Sequence, residues 1–207
     1  MNAILATGVR EERIVATAER IFFAGGFSRV LMDDLARELG MSKKTLYSHF
    51  TSKEELLRAV LVRRTGEVER GLEAIVSVKE SFPLKLGHLA RFLQGKLADV
   101  SPIFLEDIRR YAPECFQVVE AFRARAIPRY FGRLFEEGIR SGHVRRQVHR
   151  DLLIRMLVLS VQGIIRPETV EELHLRPREA LEHILAILFD GILTPTGRRA
   201  RRLFPEK

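Results

Sequence analysis

A single cysteine, Cys115, rules out an internal disulfide and any cysteine-built zinc cluster within one chain, and such sparing use suits a reducing cytosol. Long apolar runs are also missing. The longest nearly uninterrupted one, Met156 to Ile165, contains Ser160, Gln162 and Gly163 and falls far short of the roughly 20 residues that span a bilayer. Met1-Asn2-Ala3-Ile4-Leu5 has no basic lead-in, and no apolar stretch of about seven residues precedes Arg10-Glu11-Glu12-Arg13, so no secretory signal is expected. The expectation is a cytoplasmic protein with no membrane partner. Catalytic signatures are lacking too: there is no Gly-x-Ser-x-Gly, Gly-x-Gly-x-x-Gly, Walker loop or His-Glu-x-x-His. His88, His143, His149, His174 and His183 show no i, i+3 or i+4 ligand spacing, so no metal or cofactor is expected. A helical enzyme acting on a small molecule is the rival reading, and no motif carries it.

What is present is a globular balance, 46% hydrophobic against 30% charged residues over a chain of 207, enough for a sizeable core. The net charge of +8 invites a nucleic-acid partner, yet residues 1–60 hold nine bases and eight acids, and the excess lies downstream. Part of it is the tail Arg198-Arg199-Ala200-Arg201-Arg202, read as a solvated, biased segment, since it lacks the exposed aromatics of a membrane-surface helix. Bulk charge therefore does not locate a DNA site, which has to be argued from the placement of a few residues.

Apolar residues recur at helical spacing almost throughout, and no segment alternates like a strand, so the fold class is all-α. Ile14, Ala18, Ile21 and Phe22 give residues 10–24 one buried face, closed by Gly25-Gly26. Met32, Leu35, Ala36 and Leu39 repeat the spacing in a short second helix ended by Gly40. Ser42 is the natural N-cap of a third, Lys43 to Phe50, with Leu46 and Phe50 inward. Ser52 with Glu55 reads as a capping box opening a long fourth helix. Further helices are expected at about 84–98, 102–110, 113–141 with a break at Pro128, 148–165 and 178–193. The chain divides into residues 1–53, a DNA-binding domain, and 54–207, a helical domain, with the boundary inside helix 4.

Two short helices joined by a glycine turn, the second serine-capped and polar outward, match a helix-turn-helix, whose second helix enters the major groove N-terminus first. Lys43, Lys44, Thr45, Tyr47, Ser48 and His49 are then left for the groove and its rims. The run Ala16 to Phe27, then Met32-Asp-Asp-Leu-Ala36, Leu39-Gly-Met-Ser-Lys-Lys-Thr-Leu-Tyr-Ser-His-Phe50 and Ser52-Lys-Glu-Glu-Leu56 resembles the N-terminal domain of TetR-family transcriptional regulators. The resemblance implies that Tyr47 and His49 touch DNA and that Lys53 meets a phosphate at the start of helix 4, where free N–H groups already favour an anion. Two positions depart from the family pattern. Val30 and Leu31 stand where Thr or Ser usually caps helix 2 and donates to a phosphate, leaving Ser28 or Arg29 to substitute. Lys44 stands where a small residue is usual, within reach of guanine O6/N7 or a phosphate, and is expected to shape operator preference.

The resemblance further implies a repressor that binds a pseudo-palindromic operator in double-stranded DNA as a homodimer and is released by a small molecule. Residues 152–165 are apolar nearly all round and call for cover on several sides. Leu153, Leu157 and Ile164, with the stripe Leu181, Leu185, Leu188 and Ile192, are the expected dimer interface. Phe92, Phe104, Tyr111 and Phe122, with Asp107 and Gln162 as polar anchors, are the expected lining of a pocket for an apolar or amphipathic effector. Helix 4 would carry the signal between the two sites, with Gly66 and Gly71 as places where it bends.

Overall fold

The computed structural model describes residues 2–202, and side chains from 8 to 200. Its helices are α1 (Asn2–Gly25), α2 (Met32–Glu38), α3 (Lys43–His49), α4 (Lys53–Ser77), α5 (Phe82–Leu97), α6 (Pro102–Tyr111), α7 (Pro113–Ala126), α8 (Gly132–Arg140), α9 (Arg150–Ile164), α10 (Pro167–Glu172), α11 (Pro177–Ile192) and α12 (Pro195–Arg202). Among the described residues no strand forms; the one extended pairing is an isolated bridge between Val144 and Leu193.

Several helices differ from expectation. The first begins at Asn2, a full two turns before residue 10. No gap opens at Pro128: α7 runs into α8 through a π-helical turn, Ile127–Phe131, whose wider winding accommodates a residue that lacks an N–H and crowds the preceding turn. α10 and α12 were not anticipated. Both start on proline, Pro167 and Pro195, where a missing N–H costs nothing, and the Thr194 hydroxyl caps α12 by accepting from Gly197 N–H at 3.1 Å. The arginine-rich tail is therefore helical as far as Arg202. The expected capping box at Ser52 is offset by one residue. Ser52 accepts from Glu55 N–H at 3.0 Å, but the Glu55 carboxylate returns to the N–H and hydroxyl of Thr51, each at 2.6 Å, and these bonds hold its pKa below the usual carboxylate range.

Packing groups the chain in another way than a division at residue 53. One compact unit comprises residues up to 65 together with 99–119, the other 66–98 and 120 onward. In the first, Ile14, Ala18 and Phe22 of α1, Leu35 of α2, Leu46 of α3, Leu56, Leu57 and Val60 of α4, and Phe104 and Ile108 of α6 are all buried. Burying each such side chain stabilises by about 1.5–3 kcal/mol before entropy is counted. The buried Glu19 carboxylate of α1 is tied to α4 by Arg63 at 2.9 Å and Arg64 at 2.8 Å, and Arg64 also reaches Asp99 at 2.7 Å. In the second unit, Phe82, Leu86 and Leu89 of α5, Leu134 and Phe135 of α8, Leu153 and Leu157 of α9, and Leu181, Leu185 and Phe189 of α11 form the core. The buried Lys85 ammonium is matched by Glu137 at 2.7 Å and the Val76 carbonyl at 3.2 Å. Gly71 on α4 makes room for the Phe92 ring, which a Cβ there would strike, so this glycine serves packing and α4 remains helical through it.

Candidate nucleic-acid interface

The turn between α2 and α3 is built from backbone bonds that the sequence permits at one residue. Gly40 adopts φ +64, Met41 N–H donates to Ala36 carbonyl at 3.0 Å and Gly40 N–H to Arg37 carbonyl at 3.1 Å, a Schellman closure that favours glycine at this position. Arg13 of α1 adds a bond to the Leu39 carbonyl at 2.9 Å. Two residues later Ser42 caps α3, its hydroxyl accepting from Thr45 N–H at 3.1 Å. With Leu46 and Phe50 buried, the outward face of α3 is decided.

Lys43, Lys44, Tyr47 and Ser48 lie exposed on that face. Lys44 forms no ion pair among the described residues, whereas Lys43 is held by Asp33 of α2 at 2.8 Å, a bond that raises its pKa. The Tyr47 ring lies 6.0 Å from the Lys43 ammonium. Thr45 is half-buried, its hydroxyl 2.8 Å from that of Ser42, and the Ser48 hydroxyl bonds back to the Thr45 carbonyl at 2.7 Å. His49 is tucked in, with Nδ1 3.3 Å from a Glu11 carboxylate oxygen on α1. Lys53 has another occupation: its ammonium donates to the carbonyls of Phe27 at 3.0 Å, Ser28 at 3.1 Å and Val30 at 3.0 Å, and burial pulls its pKa down. It closes the loop between α1 and α2 instead of facing outward.

That loop also settles the substitution at Val30 and Leu31. Leu31 is the N-cap of α2, in extended conformation and without a side-chain acceptor. Ser28 is not available to replace the missing hydroxyl, because its N–H and Oγ–H both donate to Asp107 of α6. Arg29 is exposed. The Ser28 pairing to Asp107 escaped the sequence reading, for nothing local signals a contact across 79 positions.

The effector candidates fall in both compact units. Phe104, Asp107 and Tyr111 belong to the first unit and Phe92, Phe122 and Gln162 to the second. Phe104 packs on Phe23 with ring centroids 4.6 Å apart, Asp107 serves Ser28, and Tyr111 is exposed beside Arg110. Phe104 and Asp107 are thus committed to contacts that the order of the helices did not reveal. Phe92 is half-buried against Gly71, Phe122 and Gln162 are half-buried, and next to Phe122 the Arg123 guanidinium pairs with Glu120 at 2.8 Å.

The dimer candidates differ in their burial within one chain. Leu153, Leu157, Leu181, Leu185 and Ile192 face the core of their own chain, and Ile164 and Leu188 are half-buried. The outward face of α9 carries Leu152, Met156 and Leu159 and ends on exposed Gly163; that of α11 carries Ile187 and exposed Gly191. Leu157 is 1% exposed against 56% for Leu159, and Ile187 is 74% exposed.

Among the described residues no group of three or more histidine, cysteine or acidic residues is placed to hold a metal, and no helix is long and apolar enough to cross a membrane. Cys115 is buried, its thiol pushed up in pKa by burial and 3.6 Å from the Glu54 carbonyl.

Residues 14–60 match the family described as bacterial regulatory proteins, tetR family. Over 184 residues, 88% of this chain and 95% of the relative, the sequence is 27% identical to the uncharacterized HTH-type transcriptional regulator YvaF of Bacillus subtilis (strain 168). It is 26% identical to the HTH-type transcriptional repressor DhaR of Mycobacterium sp. (strain GP1), covering 92% of this chain and 95% of that one. In fold it is similar to a TetR-family transcriptional regulator from Agrobacterium tumefaciens, with TM-score 0.69, 16% identity, and coverage of 91% of this chain and 100% of that chain.

Proposed function

This chain is a TetR-family transcriptional regulator, not an enzyme, and on that premise we propose that it is a repressor that binds a pseudo-palindromic operator as a homodimer and leaves it on binding a small apolar or amphipathic molecule. The observation that carries the reading is α3: a serine-capped helix behind a Gly40 turn, with Leu46 and Phe50 inward and Lys43, Lys44, Tyr47 and Ser48 outward. Lys44 is the base reader, and Lys43, Tyr47, Ser48, Thr45 and His49 line the groove and its rims. Lys53 supports the loop at residues 27–30. The repressor assignment rests on similarity to DhaR, and the cytoplasm is the compartment proposed.

TetR-family regulators act as dimers, and the second copy is the occupant we propose for the apolar face of α9 and α11. Both helices place a glycine one turn after an exposed aliphatic residue, Leu159 then Gly163 and Ile187 then Gly191, and both glycines have open space around them. Small residues at these points let helix backbones approach closely across a twofold axis. Phe92, Phe122 and Gln162 remain the proposed effector contacts. α4 has residues 53–65 in one unit and 66–77 in the other, and is the proposed transmitter. An effector that binds the DNA-free form 100-fold better must weaken operator binding by the same factor, about 2.7 kcal/mol.

Selection of bound duplexes from random DNA tests the function. A pseudo-palindromic consensus is the expected result, and recovery of unrelated sequences alone would overturn the reading.

A further inference from the structure

The N-terminus of α2 lacks its usual local support. Leu31 offers no side-chain acceptor, and its own N–H reaches Asp34 Oδ2 only at 3.4 Å. An uncapped helix end leaves its first N–H groups to water and the preceding loop free to sample other shapes. Residues 26–31 are nevertheless pinned, by side chains from elsewhere in the chain. Buried Asp107 accepts Ser28 N–H at 2.7 Å and Ser28 Oγ–H at 3.0 Å, one bond to each carboxylate oxygen. From the other side, Lys53 donates to the Ser28 carbonyl at 3.1 Å and to its neighbours at Phe27 and Val30. Ser28 thus has both of its donors on a carboxylate and its carbonyl on an ammonium. Gly26 completes the fit: at φ +89, a Cβ there would stand 2.6 Å from Asp107 Oδ2 and 2.8 Å from Ile103 Cγ2. Glycine is what lets the α6 carboxylate come this close.

Resting on the DNA-binding reading above, we infer that Asp107 is a positioning residue for the DNA-binding surface. Acting through Ser28, it holds the α1–α2 loop in the shape in which the start of α2 and the exposed Arg29 meet the phosphate backbone. The first helix of a helix-turn-helix crosses that backbone, and Arg29, two residues before the N-cap, takes over from the missing hydroxyl. A carboxylate suits the task because it is acceptor-only and offers one oxygen to each donor; an amide would turn its NH₂ against one of them. Burial makes the requirement stringent in both directions, since a buried acceptor or donor left unpaired is costly. If the unclamped loop holds the competent shape about a tenth of the time, apparent operator affinity falls about tenfold.

The test uses the full-length protein and the operator obtained by selection, with Asp107→Asn, Ser28→Ala, the double variant and Ser28→Thr. Asp107→Asn is expected to weaken binding about tenfold, and Ser28→Ala in the same direction but less. The double variant should be no worse than Asp107→Asn alone, and Ser28→Thr, which keeps both donors, should bind as the parent does. The log–log salt slope should not change, because no phosphate contact is removed. In amide NMR spectra Asp107→Asn should shift the Ser28 proton upfield. Parental affinity in both single variants, with the Ser28 amide nonetheless moved, would reduce Asp107 to a structural residue and overturn the inference. Additive losses in the double variant would also overturn it, by showing that the two residues act separately. Should Asp107→Asn not fold, Ser28→Ala against Ser28→Thr makes the same comparison. Failure of the parent protein to retain any duplex is a different result and refutes the DNA-binding reading itself.

Discussion

The Lys53 ammonium stands 4.3 Å from the centroid of the Phe27 ring and 3.0 Å from the carbonyl oxygen of the same residue. The loop that precedes α2 is therefore closed from α4, by a cation that satisfies three carbonyls and lies over an aromatic face. Lys53→Met retains the alkyl stem on Phe27 but removes every donor. The expected loss of stability is about 1–3 kcal/mol, the cost of leaving part-buried carbonyls unpaired. Operator affinity should fall while its salt slope stays constant. A slope reduced by about 0.9, read from binding across a salt series, would mean instead that Lys53 neutralises a phosphate.

Leu31 occupies an N-cap with the extended backbone that a capping residue adopts, and Asp34 stands three residues later. Leu31→Thr supplies the missing acceptor and completes a box with Asp34. Stability should rise by about 1 kcal/mol, measured by urea unfolding. Operator binding should tighten too, since the hydroxyl regains reach to a phosphate. A lower unfolding midpoint would show that Leu31 earns its place by packing.

Leu159 and Ile187 are the most informative residues for assembly. Leu159→Glu or Ile187→Glu places a charge where two apolar faces meet, and sedimentation at micromolar concentration should show monomers with an unchanged helical spectrum. Leu157, by contrast, faces the chain's own core, and Leu157→Ala should cost about 2–5 kcal/mol of stability. Dimers that survive both glutamate variants would move the interface elsewhere.

The contrast between these leucines shows where the sequence was legible. The helix-turn-helix could be read because its signals are local: Gly40 needs a positive φ, Ser42 caps within three residues, and Leu46 and Phe50 are one turn apart. On α9, apolar residues occur on almost every side, so periodicity could not say which face looks outward. Leu152 and Leu153 are neighbours in sequence, yet one is exposed and the other buried. The surroundings of Phe104 and Asp107 were not legible for a related reason. Spacing along α6 shows that Phe104 and Asp107 point to one side but not that α1 and its loop occupy it. For α12, the pair Thr194-Pro195 is the one local start signal, and the arginine run that follows has no apolar periodicity to mark a helix.

Lys44 is exposed and unpaired by any acid among the described residues, while Lys43 is held by Asp33. Lys44→Gly should therefore alter the selected consensus, with discrimination at one base pair per half-site changing by about 1–3 kcal/mol. An identical selection profile would assign Lys44 to the phosphate backbone.

The central claim is that two copies of α3 read one duplex together. Hydroxyl-radical footprinting of the selected operator tests it most directly, because recognition helices related by a twofold axis must enter the major groove about 34–36 Å apart, or a multiple of that. The account predicts two protected segments of equal strength, related by the operator's symmetry and centred a whole number of helical turns apart, both lost in Leu159→Glu. A single protected segment that persists in that variant would contradict it.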